Sequence, residues 1–121
     1  MKLMEILHID DSPVMCELYS DLFGSRNHSI RSVNDGREGL ELVAKNDYDL
    51  ILLDICMPKY SGMQFIHDLK NRRPSELKKV IVISKMQFNE SQLKELSEFG
   101  IDSIQEKAPD LVNFEITEKL V

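Results

Sequence analysis

The sequence contains no tryptophan and only two cysteines, five glycines and four prolines among 121 residues. Cys16 and Cys56 belong to no CxxC motif or His/Cys cluster, which argues against a zinc site and indicates reduced thiols, as in a cytoplasmic protein. No apolar run approaches the length of a membrane span, and charge appears too early for a signal peptide. No repeat, low-complexity tract or linker is visible, so we expect one domain over residues 1–121.

The chain also lacks an excess of basic residues. Fifteen lysines and arginines stand against 21 acidic residues, which gives a formal net charge of −6. A nucleic-acid-binding domain needs a basic surface, and so does a protein held on anionic lipid. We therefore expect neither nucleic acid nor membrane among its partners. Hydrophobic residues at 42% are enough for an ordinary globular core.

Short apolar runs alternate with segments of helical periodicity along the whole chain. Alternation of this kind is typical of α/β proteins, in which a parallel sheet carries helices on both faces. The runs at 50–53 and 80–83 are continuously apolar, as expected of strands buried on both faces. Strands are predicted at 4–9, 28–33, 50–53, 80–83 and 103–106, and helices at 12–23, 35–45, 62–71, 89–99 and from 110 to the end.

Capping signals mark the starts of two of these helices. Pro13 suits a first helical turn, and either Asp11 or Ser12 can cap it. Asn89 followed by Gln92 resembles a capping box.

Polar side chains follow four of the predicted strands directly. Asp10 and Asp11 follow the first strand, Asp54 the third, Ser84 the fourth and Lys107 the fifth. In open parallel sheets the ligand site lies at the carboxyl ends of the strands. Taken singly, each residue is as well explained as a helix cap, a turn residue or a solvated lysine. Together they predict one site.

The chemistry of this cluster favours a hard cation and a phosphoryl group. Carboxylates packed together repel one another, and Mg²⁺ relieves that repulsion through oxygen ligands and waters. A carboxylate can also act as a nucleophile and form an acyl phosphate. The Lys107 ammonium can hold a phosphoryl oxygen, and the Ser84 hydroxyl can donate a hydrogen bond to another.

These motifs resemble those of response-regulator receiver domains of the single-domain, chemotaxis type. The resemblance covers essentially residues 1–121 and rests on IDD at 9–11, DLILLDICMP at 49–58 with Gly62 downstream, VIVIS at 80–84, and Lys107. It implies a three-layer, flavodoxin-like fold with five helices and a five-stranded parallel sheet of order 2-1-3-4-5. It also implies a two-component signalling switch rather than an enzyme.

The resemblance implies the following site. Asp54 accepts the phosphoryl group, Asp11 and Asp54 ligate Mg²⁺ directly, and Asp10 helps through water. The backbone carbonyl of Cys56 completes the protein ligands.

It also implies the residues and partners of the switch. Ser84 moves to contact the phosphoryl group and Lys107 pairs with it. The donor is a histidine kinase or phosphotransfer protein, and the output is a changed surface around the fourth helix, fifth strand and fifth helix. An unidentified downstream protein reads that surface, and the protein is a monomer or a phosphorylation-dependent dimer.

The chain departs from the family pattern at three positions. Ile104 stands where an aromatic residue is usual, Ala108 where a proline follows the lysine, and Lys85 where a small residue follows Ser84. These departures leave open an alternative, a receiver-like binding module that no longer switches. Cys56 and Met86 orient water poorly, so we expect slow dephosphorylation.

Two enzyme-like or ligand-binding alternatives fit less well. A haloacid-dehalogenase-type phosphatase needs a second aspartate where Cys56 stands. A nucleotide- or flavin-binding protein would carry a glycine-rich or Ser/Thr-rich phosphate loop after the first strand, and none is present.

Overall fold

The computed structural model describes residues 2–85 and 87–106. Met86, Lys107, Ala108 and the helix predicted from position 110 lie outside these residues. The elements in chain order are β1 (Glu5–Ile9), α1 (Pro13–Gly24), β2 (Ser29–Val33), α2 (Gly36–Lys45), β3 (Leu50–Asp54), α3 (Gly62–Arg72), a 3₁₀-helix (Pro74–Lys79), β4 (Val80–Ser84), α4 (Glu90–Glu98) and β5 (Ile104–Glu106).

The five strands form one parallel sheet with the order β2-β1-β3-β4-β5. This confirms the predicted doubly wound fold. The switch in strand order lies between β1 and β3, which is where such sheets hold their ligands. Every residue of β3 and of β4 is buried, as their continuous apolar runs predict.

The core lies in two layers, one on each face of the sheet. On one face Met15, Tyr19 and Phe23 of α1 pack with β1, β3 and β4. On the other face, residues of α2, α3 and α4 pack against alternate residues of the same strands, with Phe65 and Leu96 among those fully covered. Within the described ranges, no helix is both long enough and apolar enough to span a bilayer.

Both predicted helix caps form. Ser12, rather than Asp11, caps α1 and accepts a hydrogen bond from the Met15 backbone N–H at 3.3 Å. Asn89 and Gln92 make the reciprocal side-chain and backbone bonds of a capping box at the start of α4. Local capping chemistry therefore fixes where these two helices begin.

The 3₁₀-helix between α3 and β4 was not predicted. Its sequence, PSELKK, is short and has no helical apolar periodicity. Leu77 packs it into the core, and the buried Glu76 carboxylate accepts from Lys79 at 2.9 Å and lies 3.7 Å from the Arg73 guanidinium.

Candidate functional site

Three carboxylates meet at the carboxyl end of the sheet. One oxygen from each of Asp10, Asp11 and Asp54 lies within 4.8 Å of the others. Asp10 and Asp54 are buried, whereas Asp11 is exposed. The three acids therefore converge as the strand ends predict, and Asp11 is the one that is open to solvent.

The Asp10 carboxylate is oriented by donors from two elements. Its Oδ1 accepts from the Ser12 backbone N–H at 2.9 Å, and its Oδ2 lies 3.3 Å from His8 Nε2. Its backbone is held as well, since its N–H donates to the Val33 carbonyl at 3.0 Å and its carbonyl accepts from the Cys16 thiol at 3.5 Å. Asp10 is thus fixed at both its side chain and its backbone.

Asp54 is the last residue of β3, and the turn that follows organises its side chain. The Cys56 backbone N–H donates to Asp54 Oδ1 at 3.1 Å. The Ile55 N–H continues the pairing with β4 by donating to the Ile83 carbonyl at 3.1 Å. Because the strand pairing extends past Asp54, its carboxylate is carried by rigid backbone.

The other predicted site residues are placed as follows. Ser84 is buried at the end of β4, the strand next to β3. Cys56 is exposed, and so is Lys85 directly after Ser84. Lys107 lies outside the described residues. The roles of all these residues remain predictions.

His8 is a neighbour of the site that the strand-end pattern does not single out, because it lies within β1 rather than after it. The structure buries its ring completely and sets it against Asp10. A signal was available, since side chains two positions apart in a strand point to the same face. His8 stands two positions before Asp10, and the Asp10 N–H continues the pairing of β1 with β2, so the two side chains lie on the same face of the sheet.

A cavity of about 590 Å³ leads to the acidic cluster from the side of α2. Asp11 lines it together with Arg37, Lys59 and Tyr60.

Tyr60 is held in the wall of this cavity by two contacts. The Arg37 guanidinium lies 5.3 Å from the centroid of the Tyr60 ring, and the Tyr60 hydroxyl donates to Asp68. Burial, followed by this hydrogen bond and the Asp68 charge, raises the pKa of Tyr60, so the phenol stays a neutral donor.

The donor set fits a hard divalent cation. Mg²⁺ takes oxygen ligands, commonly one or two carboxylates with waters and phosphate oxygens. The three acids supply carboxylate oxygens close enough to share one ion, and the exposure of Asp11 gives that ion a path from solvent.

Comparison with known proteins points to one family. The family model described as response regulator receiver domain matches residues 6–115. The gliding motility regulatory protein of Myxococcus xanthus is 34% identical over 85 residues, which cover 70% of this chain and 11% of that protein. The chain therefore corresponds to a small part of that relative.

Two solved structures are similar over nearly the whole chain. The response regulator TrrA of Thermotoga maritima, in complex with Mg²⁺ and BeF, is 26% identical with a TM-score of 0.72, over 98% of this chain and 96% of that one. The chemotaxis protein CheY4 of Vibrio cholerae has a TM-score of 0.82 at 18% identity, over 99% of this chain and 100% of that one, and shows the fold alone.

Proposed function

The chain belongs to the response regulator receiver domain family, and on that premise we propose that it is switched by transfer of a phosphoryl group to Asp54. Receiver domains of two-component systems are signalling switches rather than classical enzymes. The proposal adds the acceptor, the metal, the donor and the output surface for this chain, and it takes residues 1–121 as one such domain.

The observation that carries the proposal is the meeting of Asp54 with Asp10 and Asp11 within 4.8 Å at the strand ends. Asp54 is the acid that extends from the central strand β3, and a backbone N–H holds its Oδ1 in place. A positioned carboxylate is a competent nucleophile for phosphoryl transfer, in which catalysis depends mostly on alignment and charge.

In the proposed reaction an Asp54 carboxylate oxygen attacks the phosphorus of a phosphohistidine donor. The new bond is an O–P bond to Asp54. The N–P bond of the donor breaks, and its electron pair returns to the imidazole nitrogen. The product is an acyl phosphate on Asp54 and a dephosphorylated donor.

Asp11 and Asp54 would hold Mg²⁺ directly, with Asp10 acting through water and the Cys56 carbonyl as a further ligand. The site fits because its acids offer oxygen donors close together. When bound, the ion offsets the negative charge of the transferring phosphoryl group.

Ser84 and Lys107 complete the switch in this proposal. Ser84 is buried at the end of β4, the strand paired with β3, and its hydroxyl would move to donate to a phosphoryl oxygen. Lys107 supplies a positive charge for another oxygen. The added charge of about −1.5 to −2 then biases the segment from Ser84 to Ile104 toward a second arrangement.

The proposed partners are a histidine kinase or phosphotransfer protein as donor and a downstream protein that reads the output surface. Helix α1 offers Val14, which is 57% exposed, with exposed Glu17 and Asp21, as a docking face for the donor.

The output surface includes Leu93 of α4, which is 43% exposed. Cys16 and Cys56 are not joined in a disulfide, which suits a reducing cytoplasmic location.

Intact mass spectrometry after incubation with acetyl phosphate and Mg²⁺ tests the acceptor. We expect the parent to gain the mass of one phosphoryl group, and to gain none when the metal is chelated. Asp54→Asn should gain none under any condition. Asp102→Asn, at an exposed aspartate ahead of β5, is the matched control and should react as the parent does. A folded parent that binds Mg²⁺ but gains no mass would overturn the proposal.

A further inference from the structure

The buried His8 side chain has a polar partner at each ring nitrogen. Its Nε2 lies 3.3 Å from Asp10 Oδ2, and its Nδ1 lies 3.2 Å from Ser32 Oγ on the neighbouring strand β2. The ring is 0% exposed, as is Asp10. His8 therefore connects Asp10 of the acidic cluster to Ser32 of β2 through contacts buried inside the protein.

Packing against α1 holds the imidazole ring in this orientation. The Tyr19 ring meets it edge-on with centroids 4.9 Å apart, and Tyr19 is itself stacked against Phe23 in the core. Because the Tyr19 ring covers this side of the imidazole, the His8 ring cannot rotate by 180° without disturbing the packing of the core.

The chemistry of the partners sets the direction of the hydrogen bond to Asp10. A carboxylate only accepts, so the hydrogen must be on His8 Nε2, which donates to Asp10. The Ser32 hydroxyl can donate or accept, so it satisfies Nδ1 whichever role that nitrogen takes. Both ring nitrogens therefore have a hydrogen-bond partner, Ser32 on one side and Asp10 on the other.

Each oxygen of the Asp10 carboxylate therefore has a donor from a different place in the fold. Oδ1 is held from the α1 side by the Ser12 N–H, and Oδ2 from the sheet side by His8. Two donors on separate oxygens fix the rotation of the carboxylate plane. That rotation decides which lone pairs face Asp11 and Asp54.

We propose that His8 is a positioning residue for the cation site, because it sets the Asp10 carboxylate in the orientation that a divalent cation requires. This inference rests on the proposed function, in which Asp10 serves the metal. Residues that orient metal-binding side chains from outside typically change metal affinity about 10–100-fold when replaced.

A pair of amide variants separates the two contacts of His8. In His8→Gln the side-chain amide reaches the place of Nε2 and can still donate to Asp10. In His8→Asn the amide reaches only the place of Nδ1, near Ser32. Both variants bury one amide, so their difference reports the contact with Asp10 rather than the loss of the ring.

His28 provides the control. It is also buried, at the opposite end of the sheet just before β2, where its Nδ1 accepts from the Met4 N–H at 3.0 Å. His28→Gln removes a buried imidazole away from the acidic cluster. Its Mg²⁺ affinity should equal that of the parent.

The measurement is the Mg²⁺ dissociation constant of the unphosphorylated chain by titration calorimetry, with urea unfolding in chelator alongside it. We expect His8→Asn to weaken Mg²⁺ binding about tenfold and His8→Gln to restore most of the affinity. Equal affinities for the two variants, or loss in both that tracks only their stability, would overturn the inference and leave the proposed function standing.

Two further outcomes are distinguishable. A folded parent that binds no Mg²⁺ contradicts the proposed metal and, with it, the role given to His8. If His8→Asn does not fold, Ser32→Ala decides, because it leaves the ring packed and removes only the hydroxyl that holds Nδ1, the second of the two contacts that orient the ring toward Asp10. We then expect weaker Mg²⁺ binding in Ser32→Ala, and unchanged binding would overturn the inference.

Discussion

Gly62 lies directly against the backbone of Ile55, at the point where α3 returns to the end of β3. Its N–H donates to the Ile55 carbonyl at 3.1 Å. A Cβ at position 62 would lie 2.6 Å from Ile55 Cα and 2.9 Å from the Asp54 carbonyl oxygen. The turn that carries Asp54 is therefore closed so tightly that only glycine fits.

Gly62→Ala should destabilise the fold by about 1–3 kcal/mol, because the added methyl meets backbone atoms that cannot move aside. The measurement is the free energy of unfolding in urea. Gly24→Ala is the matched control, since nothing lies within 4 Å of its added Cβ. Equal stability of the two variants would contradict the close approach.

The Tyr60 hydroxyl should make stability fall at alkaline pH. Burial and the bond to Asp68 raise the pKa of Tyr60, so its contribution is complete below the ordinary tyrosine value of about 10 and is lost as pH rises toward the higher folded value. Tyr60→Phe should be less stable by about 1 kcal/mol at neutral pH and should show a shallower alkaline decline. Parallel declines in urea unfolding would contradict this.

The ion pair between α2 and α3 should weaken in acid. The hydrogen bond from Arg72, at 2.5 Å, and its charge lower the pKa of Glu41. Its contribution is therefore present above the unfolded glutamate pKa of about 4.3 and is lost as pH falls through the lower folded value. The stability gap between the parent and Arg72→Gln should shrink over that range, and a gap independent of pH would count against the pair.

Cys56 should keep the acyl phosphate long-lived. Cys56 is exposed and its backbone N–H is bonded to Asp54, and a thiol forms only weak hydrogen bonds to water. Cys56→Asn should speed loss of the phosphoryl group about tenfold, which corresponds to about 1.4 kcal/mol of activation free energy. Cys56→Val should match the parent. The readout is the decay of phosphorylated mass with time, and equal lifetimes for all three proteins would refute the expectation.

Much of the fold could be predicted because its signals are local. The apolar runs of β3 and β4 and the capping box at Asn89 depend only on neighbouring residues. The convergence of the three acids followed from strand ends in a parallel sheet. The partners of His8 could not be predicted in the same way, because its ring contacts Ser32 of β2 and Tyr19 of α1, which are brought together only by the fold.

The central claim is that Asp54, and no other acid of the cluster, carries the phosphoryl group. Borohydride reduces an acyl phosphate to the alcohol and so turns the modified aspartate into homoserine. After phosphorylation with acetyl phosphate and Mg²⁺, reduction and peptide mapping should place homoserine at position 54 alone. Homoserine at position 10 or 11, or at none of the three, would contradict the account.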